Sequence, residues 1–154
     1  MSLNRKKIFS ALGAVLFFLC QALALAQTSP EQFLGFEVGA DRQLADYNQI
    51  QAYFQKLDQE SRKLQVFTVG TSTLKKPMFM AVITSEQNMA KLDAHREIVR
   101  KLRDPRTTSP EEARKLAMEG KVILLITCNI HASEIASSQM AMEFAYKLVT
   151  GQTP

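Results

Sequence analysis

Val122-Ile123-Leu124-Leu125-Ile126-Thr127-Cys128-Asn129-Ile130-His131-Ala132-Ser133-Glu134 is the stretch on which the fold turns. Five uninterrupted branched aliphatic residues, Val122 to Ile126, read as a strand buried on both faces, the pattern of an interior strand in an α/β sheet. The polar corner after it carries a histidine and, three residues on, a glutamate. From Ile135 the apolar positions fall at helical spacing, with Met142, Ala145 and Val149 among them, and Gly151 stops that helix.

Upstream of the strand, Ser109-Pro110-Glu111-Glu112 is a helix start, with Ser as N-cap and Pro at the first helical position. That helix should run to Gly120. Before it, Ser85 should cap a surface helix with Met89, Leu92, Val99 and Leu102 on its apolar face and Lys91, Arg96, Glu97, Arg100 and Lys101 on the other. Two short strand-like runs precede that helix: Leu64–Val69, ended by Gly70, and Met78–Thr84. The polar link 71–77 between them suggests an antiparallel pair. Asp46 and Gln49 form a capping-box pair at the head of an amphipathic helix over 46–59. Residues 27–42 show no period and read as an extended lead. The order predicts an α/β fold with a mixed sheet and helices on both faces. It also predicts that only the N-terminal part of the domain is present, because an interior strand needs neighbours on both edges.

The first residues belong to targeting. Arg5, Lys6 and Lys7 precede an apolar run from Ile8 to Leu25, which closes on Ala24-Leu25-Ala26. That is the layout of a secretory signal peptide over 1–26. It implies a secreted or periplasmic protein with no stable membrane anchor after cleavage. Removal of those three cations accounts for most of the formal net charge of +4. No basic block remains of the kind nucleic acid binding requires. Cys128 would be the one cysteine left, so no disulfide can form within the mature chain.

The candidate site is His131 with Glu134. Ligand sites gather beyond the carboxyl ends of strands in open α/β sheets. A strand-to-helix corner would let both side chains converge there, with Glu134 in the first turn of the helix. Imidazole nitrogen and carboxylate oxygen both suit zinc, and a catalytic zinc site uses three protein ligands plus water. The same two residues also fit a plain surface histidine beside a glutamate that favours a helix N-terminus. His95, the other histidine, falls between Leu92 and Val99 on its helix and reads as a packing residue. Cys128, an odd number of strand positions from His131, should face away from it as a buried, inert thiol.

The segment His131-Ala132-Ser133-Glu134 resembles the first metal-binding motif, His-x-x-Glu after a hydrophobic strand, of the zinc carboxypeptidases of the M14 (carboxypeptidase A-like) family. Val69-Gly70-Thr71-Ser72, the polar link and Met78–Ser85 resemble the same family's hairpin. The resemblance covers about residues 33–154, so that 43–154 is expected to be the N-terminal part of a catalytic domain. It implies that His131 and Glu134 bind Zn2+. The ion would polarise a scissile carbonyl and lower the pKa of its bound water to ~7. It further implies a peptide or protein substrate and release of a C-terminal residue. The family's third zinc-binding histidine, general-base glutamate, carboxylate-binding arginine and catalytic tyrosine have no counterpart before Pro154, so the chain alone is expected to be inactive. The digestive members carry Arg where this chain has Ser133. An amidohydrolase or deacylase on the same scaffold, or a non-catalytic module that keeps only the corner, are the alternative readings.

Overall fold

A computed structural model describes residues 26–131 and 133–151. The expected signal peptide lies, but for Ala26, outside those residues. Among the described residues no helix is long and apolar enough to cross a membrane.

The architecture is α/β, with six helices and an antiparallel pair of strands among the described residues, in the order α1 (Pro30–Leu34), α2 (Tyr47–Glu60), β1 (Leu64–Thr71), β2 (Pro77–Ile83), α3 (Glu86–Met89), α4 (Leu92–Arg103), α5 (Pro110–Glu119) and α6 (Ala136–Thr150). The core lies where α2 and α6 meet one face of the sheet. Tyr53, Phe54 and Leu57 come from α2, and Met142, Ala145 and Val149 from α6. Alternate strand positions face them: Leu64 and Val66 of β1, and Phe79, Ala81 and Ile83 of β2. This is the period-2 pattern of a strand meeting the 3.6-residue period of a helix. Edge-to-face contact of Tyr53 with Phe33 and Phe54, at centroid distances of 5.4 and 6.1 Å, ties α1 into the same core.

Local signals decide most boundaries. Asp46 accepts from the N–H of Gln49, and the Gln49 side chain accepts from the N–H of Asp46, so α2 begins on the expected capping box. Ser109 accepts from the N–H of Glu112, and Pro110 opens α5. The Glu112 carboxylate turns instead to Lys101 Nζ at 2.8 Å, pinning α5 to α4. Lys63 Nζ donates to the carbonyl of Val149 at 3.1 Å, satisfying one of the last carbonyls of α6. Gly70 does not end β1. The pairing skips Val69 between Thr68↔Phe79 and Gly70↔Met78, and this bulge carries the ladder on to Thr71↔Pro77.

Three further expectations change. Residues 27–42 are not extended throughout, because Ser29 and Gln32 form a second capping box with Pro30 at N1, and α1 results. This lead is also tied down. Thr28 donates from its N–H and its hydroxyl to the two oxygens of Glu60, at 2.8 and 2.9 Å. The helix after Ser85 is broken. Ala90 N–H still reaches the Glu86 carbonyl, but Lys91 N–H bonds only three residues back, to Asn88, and α4 starts afresh at Leu92.

The third change concerns Val122–Ile126, which forms no strand; its side chains are exposed, Val122 fully so at 101%. The apolar run answers the residue pattern of an interior strand, but a strand exists only through its ladder. β1 and β2 pair with each other, and no other strand is present among the described residues to pair with 122–126. Backbone amides in 122–126 are therefore expected to exchange with solvent close to the unprotected rate. Those paired between β1 and β2 are slow by comparison. Hydrogen exchange read by mass spectrometry tests this, and equal protection of the two regions would contradict it.

Glu60 gives the fold a pH dependence. Burial pushes its carboxyl up, but hydrogen bonds from Lys56 and Thr28 outweigh that and hold it below the usual glutamate range. A carboxyl depressed in the folded state contributes stability above its unfolded-state pKa and loses it as pH falls through the folded-state value. Acidification through and below the usual glutamate range is expected to release the 27–29 lead from α2, as is Glu60→Gln at neutral pH. Proteolysis near Ala26–Ser29 that speeds up under either condition is the readout. An unchanged rate in Glu60→Gln would remove Glu60 as the tether.

Candidate metal centre

The corner between Val122–Ile126 and α6 is a loop whose two candidate donors close on each other. Glu134 N–H donates to the His131 carbonyl at 3.0 Å, a turn that brings their side chains to one side. His131 Nδ1 and Glu134 Oε1 are 2.7 Å apart, and Glu134 Oε2 lies 3.4 Å from the His131 backbone nitrogen. An ionised carboxylate only accepts, so a hydrogen bond across this pair needs the imidazole tautomer with its N–H at Nδ1. Both side chains are open to solvent, at 71% and 53% exposure.

Glu134 is not in the first turn of the helix, as expected from the sequence. α6 begins at Ala136, behind an N-cap, Ile135, with no side-chain cap. The Glu134 carboxylate folds back on His131 rather than forward on the helix N–H groups, which places it in the loop. Cys128 is half-buried with a free thiol. The period-2 argument that turned it away from His131 does not apply, because no strand forms there.

The fit of the pair to a metal follows from its geometry. Two donors on one tetrahedral zinc, at N and O bond lengths of ~2.0–2.1 Å, lie about 3.3 Å apart. A separation of 2.7 Å therefore needs to open by only ~0.6 Å, with the shared proton leaving, for an ion to enter. The exposed setting gives both side chains room for that movement. Two donors do not complete a site. Among the described residues no group of three His, Cys, Asp or Glu side chains could hold a metal. His95 does not join: it lies on α4 as a half-buried side chain whose two ring nitrogens are buried without a hydrogen-bond partner.

Comparison with known families gives a match over most of the chain. The model of the zinc carboxypeptidase family, peptidase M14, fits residues 50–154.

The chain belongs to the zinc carboxypeptidase family.

No curated protein and no solved structure matches it. The span matched to the zinc carboxypeptidases begins inside α2 and takes in the hairpin, the exposed apolar run and the His131–Glu134 loop. Two residues, one in that loop and one in the first turn of α6, escaped the sequence reading. Asn129 adopts a left-handed backbone at φ 61°, and its N–H donates to Ser137 Oγ at 2.9 Å. The Ser137 hydroxyl is 3.0 Å from both Asn129 Oδ1 and the Glu134 carbonyl. An Asn at a chain reversal and a Ser at a helix start are each ordinary turn signals. Only the contact between them shows that they work on one loop.

Proposed function

We propose that this chain is the exported N-terminal part of a zinc carboxypeptidase, with His131 and Glu134 as two of its three zinc donors. The observation that carries the reading is the convergence of His131 Nδ1 and Glu134 Oε1 at 2.7 Å in a chain of the zinc carboxypeptidase family. Zinc, when bound, supplies a polarised scissile carbonyl and a water acidic enough to attack it near neutral pH. The part of this chain is to hold an imidazole and a carboxylate on one turn, open to solvent, where a substrate can reach them. A third donor and a general base come from residues beyond Pro154. So does an arginine that grips the terminal carboxylate by a bidentate pair. The substrate is a peptide or protein with a free C-terminus. Export is supported by the Arg5–Lys7 cluster, the apolar run after it and the Ala24-Leu25-Ala26 site.

The reading frame beyond codon 154 is expected to encode the missing histidine, glutamate and arginine, and a stop codon directly after Pro154 would count against the proposal. The enzyme so encoded should release the last residue from peptides with a free C-terminus and not from the same peptides amidated. Preferential hydrolysis of N-acyl amino acids would replace the peptidase reading with a deacylase one and leave the zinc donors in place.

A further inference from the structure

We propose that Asn129 and Ser137 form a clamp that positions the two metal donors, a role that rests on the zinc reading of His131 and Glu134. Asn129 stands two residues before His131, and Ser137 three residues after Glu134. Ser137 Oγ accepts from Asn129 N–H at 2.9 Å. Its own proton is shared between Asn129 Oδ1 and the Glu134 carbonyl, each 3.0 Å away, since a hydroxyl has only one to give. One side chain thus holds the chain on both sides of the donor pair.

The clamp connects an exposed site to the core. His131 and Glu134 are open to solvent. Ser137 lies in the first turn of α6, whose Met142, Ala145 and Val149 are buried against α2 and the sheet. Asn129 takes a left-handed backbone, which Asn tolerates better than most residues, and turns its amide oxygen to Ser137.

The clamp also survives metal entry, unlike the bond between the donors. The Nδ1–Oε1 hydrogen bond must open when an ion takes the place of its proton. Asn129 N and Oδ1, Ser137 Oγ and the Glu134 carbonyl are not donor atoms, so their bonds persist. The residues hold the loop on both sides of the donors in the metal-free chain and keep it in place as an ion enters. They are positioning residues and touch neither metal nor substrate.

The test is a Zn2+ titration of the full chain followed by calorimetry, with the His131 ring resonances read by NMR in the variants that keep His131. Ser137→Ala is expected to weaken binding ~10–100-fold, the usual effect of losing a partner one shell out from a metal. Ser137→Thr, which keeps the hydroxyl, should restore most of it. Asn129→Gly keeps the N–H and the left-handed freedom but loses Oδ1, and should fall between the two. In the metal-free chain, Ser137→Ala should speed exchange of the Asn129 amide without moving the thermal midpoint of unfolding. Unchanged zinc affinity in Ser137→Ala, with binding lost in His131→Ala, overturns the clamp and leaves the zinc reading standing. Equal weakening by Ser137→Ala and Ser137→Thr also overturns it, because the hydroxyl would then not matter. Zinc affinity unchanged in His131→Ala overturns the zinc reading and the clamp together.

Discussion

His131→Ala is expected to abolish Zn2+ binding by this chain, and Glu134→Ala to weaken it more than the ~10–100-fold that an outer partner contributes. The parent chain itself should bind weakly, because a catalytic zinc site is built from three protein donors and this loop brings together two. Calorimetric titration or equilibrium dialysis measures both. The comparison is clean because the two side chains are solvent-exposed and hold nothing in the core. Far-UV circular dichroism and the unfolding midpoint should therefore not move in either variant. Tight zinc binding that persists in His131→Ala would show that the ion sits elsewhere. An unfolded variant would show instead that the loop supports the fold.

The largest stability effect is expected at Leu57. Its side chain is fully buried, in a core with Tyr53, Phe54 and Met142. Leu57→Ala removes the lost transfer energy and leaves a cavity, together about 2–5 kcal/mol. Domains of this size are held by ~5–15 kcal/mol, so the denaturation midpoint should fall sharply with an unchanged slope. Met118 is the internal control. It is also on a helix and also large and apolar, but 88% exposed. Met118→Ala should stay within ~0.5 kcal/mol of the parent. Equal losses at both positions would mean that α2 does not carry the core.

Local structure was largely legible in the residues. The Asp46–Gln49 box and the Ser109-Pro110 start are capping chemistry between residues a turn apart, and they hold wherever the chain goes next. The β1–β2 pair follows from two apolar runs and a short polar link, since adjacent strands close at small entropic cost. Three of the readings that the structure overturned share one cause. Val122–Ile126 has the composition of an interior strand, and the Cys128 and Glu134 expectations were both hung on that strand. A strand depends on partners far along the chain, and no local pattern supplies them. The break at Ala90–Lys91 was also hidden, because Met89 and Leu92 sit at a spacing that suits one helix as well as two.

The same division runs through the site. By its own residues the chain determined the His-x-x-Glu spacing, the turn that draws a histidine and a glutamate together, and membership of the zinc carboxypeptidases. These depend on side-chain chemistry and contacts a few residues long. Tertiary structure decided that the two donors bond to each other, that Glu134 stays outside α6, and that Ser137 ties the loop to a helix seated in the core. The last of these depends on where α6 docks. Its docking is set by burial of Met142, Ala145 and Val149 against α2 and the sheet, an area effect summed over distant residues that no short motif encodes.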